Sequence, residues 1–229
     1  MSRIILVRHG QASFGKKEYD RLSVLGRTQA GHVGRALADR GIQPSRIVSG
    51  SMHRQVDTAA ALGEAAGWSV PTVTDGAWDE YAHGPILTAY KPAYRSMTVM
   101  KADLARTLRP MRAFDEMYAV AMDRWVAGAH ASDYDEPFDA FGSRVLGGLR
   151  SLAEDLGRAE TAVVVSSAGA ISWATASALD GGAPVWTRLQ RVIANASVTT
   201  LTIGGTGPAL RTFNDTSHFD QHPDLLTLR

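Results

Sequence analysis

Arg3-Ile4-Ile5-Leu6-Val7-Arg8-His9-Gly10 is the stretch of sequence that decides the fold of this chain. Its unbroken apolar run predicts a strand that is buried on both faces, as in a parallel sheet. The run ends abruptly at an arginine, a histidine and a glycine. Ligands of open parallel sheets bind beyond the carboxyl ends of the strands. The stretch therefore predicts a central strand and, directly after it, a place for chemistry.

The order of strand, loop and helix recurs along the rest of the chain. Ser23 is the expected N-cap of a first helix that ends at Gly41. The next helix, over 51–66, is predicted to hold Val56, Ala59, Ala60 and Leu62 on its inner side. The further predicted segments are strands over 47–49, 70–73, 161–165, 197–203 and 209–213, and helices over 138–156 and 171–179. This alternation is typical of an α/β fold with a mostly parallel central sheet and helices on both faces.

Residues 85–137 have a different character, with apolar side chains at helical spacing and charges between them. We interpret this part as a helical insertion within a single domain that spans 1–229. Its methionine-rich stretch, from Met97 to Met122, is expected to form the core of the insertion rather than a cofactor site. Pro71 cannot donate to a strand ladder, so the segment over 70–73 is predicted to be an edge strand.

Composition excludes several classes of function. Lys and Arg number 24 and Asp and Glu 23, which gives a net charge of +1. No global field then attracts nucleic acid or an anionic membrane, and neither is an expected partner. The sequence has no cysteine, which excludes thiolate nucleophiles and cysteine metal sites and fits a reducing cytoplasm. We expect a cytoplasmic protein whose N-terminus is the first strand rather than a signal peptide; its oligomeric state is not indicated.

Polar side chains follow each predicted parallel strand and are expected to converge at one edge of the sheet. They are Arg8 and His9 after the first strand, Arg54 after the second, Glu80 after the third, and Ser167 after the fourth. A pair of guanidinium groups fits a phosphoryl group because each offers a planar fork of donors. Backbone N–H groups near Gly169, at the start of a helix, add to such an anion site. Asp79 is an alternative to Glu80 as the carboxylate.

These motifs resemble the histidine phosphatase, or phosphoglycerate mutase-like, superfamily. The resemblance rests on Leu6-Val7-Arg8-His9-Gly10, on the stretch from Ser49 to Ala59 with Arg54 at its centre, on Glu80, and on the stretch from Val164 to Ile171. It covers essentially the whole chain in the right order. The resemblance implies a phosphoglycerate mutase-like three-layer fold.

The resemblance also implies a role for each site residue. His9 becomes phosphorylated, Arg8 and Arg54 hold the phosphoryl group, and Glu80 protonates the leaving group. Gln11, directly after the triplet, is an expected substrate-binding residue. A neutral imidazole is a competent nucleophile near neutral pH, and arginines can neutralise phosphoryl charge without a metal. We therefore expect a metal-independent phosphatase that acts on a small phosphorylated substrate and needs no cofactor.

The sequence departs from the family pattern at Ser167, where the family usually carries a second histidine. Serine can donate a hydrogen bond but brings no positive charge. Replacing a charge-assisted bond by a neutral one costs on the order of 1 kcal/mol, a loss of several-fold to about a hundredfold in rate. His218, after the last strand, is the first candidate to restore the charge, and His83 is the second.

A further departure concerns the substrate. The segment Gln11-Ala12-Ser13-Phe14-Gly15 lacks the Trp-Asn pair that glycolytic phosphoglycerate mutases carry there. A phosphatase is thus favoured over a mutase. Mutase-type phosphoryl transfer remains the alternative among enzymes, and a weakly active phosphate-binding regulatory module is the alternative outside them.

Overall fold

The computed structural model describes residues 1–13 and 20–228, and this part of the chain forms two compact units. One unit holds Met1–Glu80 and Arg144–Arg229, and the other holds Tyr81–Ser143. Phe14 and Gly15, on which the comparison with glycolytic mutases partly rests, lie outside the described residues.

A mixed β-sheet forms the centre of the first unit. Among the described residues its strands are β1 (Ser2–Arg8), β2 (Arg46–Ser49), β3 (Thr72–Thr74), β4 (Thr161–Ser166), β5 (Val198–Gly204) and β6 (Gly207–Asp215). The order across the sheet is β3-β2-β4-β1-β5-β6. The pairs β1–β4, β2–β4 and β2–β3 are parallel, whereas β5 is antiparallel to β1 and to β6. The mostly parallel sheet expected from the sequence is confirmed.

Helices follow the strands of this unit, and the sequence predicts all of them except the last, Gly182–Leu189. They are α1 (Val24–Asp39), α2 (His53–Ala66), α6 (Phe138–Asp155), α7 (Ala168–Ala178) and α8 (Gly182–Leu189). Ser23 caps α1, since its side chain accepts a hydrogen bond from the Gly26 N–H. Gly67 ends α2 in the left-handed conformation, with φ of 68°, where glycine avoids a Cβ clash. Sequence signals at the helix ends therefore locate these elements well.

The central strands are buried on both faces. Ile5 and Val7 of β1 pack in one core with Val163 and Val165 of β4 and with apolar residues of α1 and α2. Ile4 and Leu6, which point to the opposite face, are also fully buried. Burying a whole aliphatic side chain contributes about 1.5–3 kcal/mol, so the run after Arg3 anchors the sheet.

The second unit is helical. It contains α3 (His83–Tyr90), α4 (Met97–Ala105), α5 (Pro110–Val126) and the first residues of α6. Its core is aromatic: Trp125 lies with its ring centroid 5.0 Å from Tyr81 and 5.0 Å from Phe138. That this unit is an insertion into a single domain stays a prediction.

The methionine-rich stretch is not the core that the sequence predicts. Met97 and Met111 are 58% and 70% exposed, and none of the residues of α4, all of them described, is buried. In α5 the buried residues are Ala121, Met122 and Trp125, at the C-terminal end of the helix. The prediction was wrong because helical spacing identifies an apolar side but not whether another element covers it.

The inner side of α2 also differs from the prediction. Ala59 and Leu62 are buried, but Val56 and Ala60 are exposed. The helix turns Arg54, Gln55 and Thr58 inward instead, and all three are buried. This face is polar because it meets other polar groups of the same unit, which are described below.

Strand β3 begins after Pro71 rather than before it, and its residues are all exposed. It lies at the edge of the sheet, as predicted. Proline thus stands outside the ladder, where its missing N–H does no harm. No helix in the part of the chain that the structure describes is long and apolar enough to cross a membrane.

Candidate active site

His9 lies just beyond the end of β1 and is only 7% exposed. Its Nδ1 is 2.7 Å from the Gly10 carbonyl oxygen, and its Nε2 is 3.1 Å from Nε of Arg54. A carbonyl oxygen can only accept and a guanidinium N–H can only donate. Nδ1 must therefore carry the proton, and Nε2 presents a lone pair.

Burial lowers the pKa of His9 well below its usual value, and the positive charges of Arg8 and Arg54 lower it further. The hydrogen bond to the Gly10 carbonyl opposes this shift in the pKa. The imidazole is therefore neutral at physiological pH. A neutral ring with an unprotonated Nε2 is the form that a nucleophile needs. In this structure the Nε2 lone pair accepts a hydrogen bond from Nε–H of Arg54, and it must leave that donor before it can attack.

Several backbone contacts fix the position of His9. The His9 carbonyl oxygen accepts hydrogen bonds from the Ala196 N–H and the Asn195 side chain. The Gly10 N–H donates to Thr58 Oγ1, which itself donates to the Arg54 carbonyl oxygen at 2.6 Å. One turn of α2 thus holds both the loop after His9 and the arginine beside it.

Arg54 is 8% exposed and is held between an imidazole and a carboxylate. Its Nη1 donates to Oδ1 of Asp20 at 2.6 Å, while its Nε faces His9. Asp20 also accepts from the His53 N–H at 2.8 Å through its other oxygen. The carboxylate therefore orients the guanidinium and offsets part of the positive charge of the site.

Arg8 contributes the other cation. Its Nη1 donates to the carbonyl oxygens of Ile193, at 2.6 Å, and Leu228, at 3.1 Å. Carbonyl partners orient a guanidinium without neutralising it. The positive charge of Arg8 helps to lower the pKa of His9, after the larger effect of burial.

Glu80 meets the N-terminus of α7, where its Oε2 accepts from the Gly169 N–H at 2.9 Å. This contact holds the carboxyl group at the start of α7. Asp79 instead accepts from the N–H and the hydroxyl of Ser51, both at 2.5 Å. Asp79 thus bonds the loop before α2, which leaves Glu80 as the better candidate for the carboxylate of the site.

Ser167, the N-cap residue of α7, is fully buried. Its Oγ accepts from Nε2 of Gln55 at 2.9 Å. Gln55 directly follows Arg54, and Gly169 lies two residues beyond Ser167. Hydrogen bonds join His9 to Arg54, Gln55 to Ser167, and Glu80 to Gly169, and short chain links connect these three pairs at the carboxyl edge of the sheet.

A protein-family comparison matches most of the chain. Residues 4–97 and 105–216 match the model of the histidine phosphatase superfamily (branch 1). The chain belongs to this superfamily. The residues between the two matched segments, 98–104, lie in α4, so this stretch of the histidine phosphatase falls outside the common family pattern.

Curated relatives match part of this histidine phosphatase. A protein from Mycolicibacterium vanbaalenii named glucosyl-3-phosphoglycerate phosphatase is 41% identical over 75 residues, which cover 30% of this chain and 32% of that protein. A protein of the same name from Mycobacterium tuberculosis is 36% identical over 97 residues, 37% of this chain and 42% of that protein. The chain thus spans less than half the length of these relatives in the alignments.

Solved structures match the whole fold. The phosphoglycerate mutase from Bacillus anthracis has a TM-score of 0.68 at 16% identity, covering 95% of this chain and 94% of that one. At these identities the likeness establishes the phosphoglycerate mutase-like fold.

That His218 or His83 supplies the charge missing at Ser167 stays a prediction. Strand β6 does end at the level of Val7, since Asp215 pairs with Val198 and Val198 with Val7. However, Nε2 of His218 bonds the Ala196 carbonyl oxygen at 3.0 Å. Its pKa is lowered by burial and raised by Asp215, and the other charged groups that affect it are Arg40 and His32.

His83 belongs to the second unit, where its Nδ1 bonds the hydroxyl of Tyr118.

Gln11 is oriented by the start of α1. Its N–H donates to Oε1 of Gln29 at 2.8 Å, and its own Oε1 accepts from the Ser23 hydroxyl at 3.0 Å. The roles of Gln11 and His218 in substrate binding stay predictions.

Sequence reasoning missed Asp20, Gln55, Thr58 and Asn195. Thr58 did carry a signal, because it lies four residues after Arg54 and so shares its face of a helix. Gln55, one residue after Arg54, points about 100° away around the helix and carried no such signal. Asp20 and Asn195 lie in irregular segments far from the residues that they contact. No local pattern in the sequence indicates them.

Proposed function

We propose that this protein is a metal-independent phosphatase that hydrolyses a small phosphomonoester through a phosphohistidine at His9. The observation that carries the proposal is the state of the His9 ring. Its Nδ1 donates to Gly10 while its Nε2 lone pair faces the Arg54 guanidinium, in a site where burial and two arginines lower the pKa of the ring.

The first step forms a bond between Nε2 and phosphorus and breaks the bond from phosphorus to the ester oxygen. The departing alkoxide takes a proton from the Glu80 carboxyl group. Arg8 and Arg54 offset the negative charge on the remaining phosphoryl oxygens. The Gly10 carbonyl keeps its hydrogen bond to Nδ1 and stabilises the positive charge that develops on the ring.

The second step uses water as the nucleophile. A water oxygen attacks phosphorus, the bond from phosphorus to Nε2 breaks, and the Glu80 carboxylate takes the water proton. The electron pair of the broken bond returns to Nε2, and the Glu80 carboxyl group is again protonated for the next turnover. The net reaction is hydrolysis to an alcohol and orthophosphate.

The names of similar proteins suggest where to look for the substrate. Besides the glucosyl-3-phosphoglycerate phosphatases, a phosphoserine phosphatase from Entamoeba histolytica has a TM-score of 0.65 at 19% identity, covering 95% of this chain and 99% of that one. Both named substrates are phosphate esters of small hydroxy compounds that carry a carboxylate. We place such phosphorylated hydroxy acids first in the substrate class.

The experiment that tests the proposal is a hydrolysis screen in the presence of EDTA. Glucosyl-3-phosphoglycerate, phosphoserine, 3-phosphoglycerate and p-nitrophenyl phosphate are offered to the wild-type protein and to His9→Ala. We expect orthophosphate release by the wild type alone. Orthophosphate binding without turnover of any ester would identify a regulatory module instead, and isomerised phosphoglycerate without orthophosphate would identify a mutase.

A further inference from the structure

We propose that Gln55 is a positioning residue that directs the hydroxyl proton of Ser167 toward the phosphoryl group. The inference rests on the proposed function, because it takes the site around His9 to be a phosphoryl site. Gln55 is fully buried, and its Nε2 lies 2.9 Å from Ser167 Oγ.

The orientation of the Gln55 amide is set by backbone groups. Nε2 also faces the Trp78 carbonyl oxygen at 3.1 Å, and Oε1 faces the Met52 N–H at 3.2 Å. A carbonyl requires a donor and an N–H requires an acceptor, so rotating the amide by 180° would break both contacts. Nε2 therefore donates to Ser167, and the Ser167 oxygen accepts.

The hydroxyl proton of Ser167 is then left for another partner. Ser167 does not use its side chain to cap α7, and among the described residues its oxygen contacts only the Gln55 amide. A proton held this way can donate to a phosphoryl oxygen without losing an existing bond. Because this donor is already shielded from water, less solvent has to rearrange when the reaction begins.

The space around Gln55 fits this role. A Cβ atom on Gly50 would lie 2.0 Å from Oε1 of Gln55, so only glycine leaves room for the amide. Ser167 stands where the resemblance puts a second histidine, and the Gln55 amide contacts its side chain. A histidine at position 167 is larger than serine and would meet the amide of Gln55, so we expect that restoring this residue alone lowers activity.

A double-mutant cycle tests the inference on p-nitrophenyl phosphate. Ser167→Ala should lower kcat by about twofold to tenfold, the equivalent of one neutral hydrogen bond, with a smaller change in KM. Gln55→Met, of similar shape, should lower kcat by a similar factor. The double variant should be no worse than Ser167→Ala within about twofold, since Gln55 acts through Ser167.

The controls separate positioning from folding. Ser172→Ala removes a buried hydroxyl of α7 that has no hydrogen-bond partner among the described residues, so it should leave kcat unchanged. Ser167→His should lower kcat, and adding Gln55→Ala should recover activity at least several-fold by making room. Two results would overturn the inference. One is a double variant whose loss in kcat is the product of the two single losses. The other is a lower kcat in Gln55→Ala with Ser167→His than in Ser167→His alone.

The same variants distinguish this inference from the proposed function. Calorimetric binding of orthophosphate is measured beside turnover for each variant. If the wild type shows no turnover that depends on His9, the phosphatase proposal fails, and the cycle in orthophosphate affinity still decides on Gln55. We expect non-additive losses there as well, whereas additive losses would contradict the positioning role.

Discussion

At the residue scale, the proposed mechanism makes Glu80 the group that moves protons in both steps. Glu80→Gln keeps the size of the side chain and an oxygen that can accept from the Gly169 N–H, but it cannot give or take a proton. We expect kcat to fall by about 10²–10⁴-fold, with the melting temperature nearly unchanged. Steady-state kinetics and thermal unfolding check this together.

The matched control is Asp79→Asn, which alters the neighbouring carboxylate that contacts Ser51. It should reduce stability more than Glu80→Gln does and reduce kcat less. The opposite ranking would assign the acid to Asp79.

The ion pair of Arg54 with Asp20 makes a separate residue-scale prediction. Asp20 is about one-third exposed at its side chain and lies 2.6 Å from the guanidinium that a phosphoryl group needs. Asp20→Asn removes the competing negative charge and keeps an oxygen for the His53 N–H. We expect orthophosphate to inhibit several-fold more tightly, with the effect shrinking as salt rises. Weaker inhibition would show that the carboxylate chiefly orients Arg54.

At the scale of elements, α1 packs closely against the loop after His9, and this packing requires glycine at positions 10 and 26. A Cβ on Gly26 would lie 2.2 Å from the Gln11 carbonyl oxygen, and one on Gly10 would lie 2.3 Å from the Gly26 carbonyl oxygen. Gly26→Ala must therefore shift α1 or the loop after His9. We expect a loss of about 1–3 kcal/mol in the free energy of unfolding and a lower kcat.

Gly147→Ala in α6 is the control for this change. A Cβ at that helical position meets nothing within 4 Å, so alanine should stabilise the protein by up to about 1 kcal/mol. Chemical denaturation of both variants measures the contrast. Equal effects of the two substitutions would refute the close packing of α1 on the loop.

The same elements show what could be predicted from the sequence. The runs in β1 and β4 are apolar throughout, so burial on both faces was readable from composition alone. The inner face of α2 could not be identified from the sequence, since alanines lie on both sides of the helix. Its buried polar residues form hydrogen bonds with partners that are far away in sequence. Arg54 faces His9 and Gln55 faces Ser167, and such pairings exist only once the sheet has formed.

At the scale of the whole molecule, histidines give the stability a pH dependence. Burial is the main cause that lowers the pKa of His9 and of His218, and it also lowers that of His32. Below the unfolded-state value of about 6.5 the unfolded chain binds more protons than the folded one. Stability is therefore complete above that pH and falls as the pH drops below it.

His9→Gln removes the contribution of the most deeply buried of these rings. We expect the free energy of unfolding of the wild type to fall faster between pH 6.5 and 5 than that of His9→Gln, by at most about 1.4 kcal/mol per pH unit. His130→Gln, which alters an exposed histidine, should keep the wild-type slope. Parallel profiles of the wild type and His9→Gln would contradict a neutral, buried His9.

The central claim, a phosphohistidine at His9, is tested most directly by trapping it. The protein is mixed with a ³²P-labelled phosphomonoester that it hydrolyses, quenched within the turnover time, and digested for peptide mapping. We expect acid-labile, base-stable label on the peptide that contains His9, in the presence of EDTA, and none in His9→Ala. Turnover with no label on His9, or label that is stable in acid, would contradict the account.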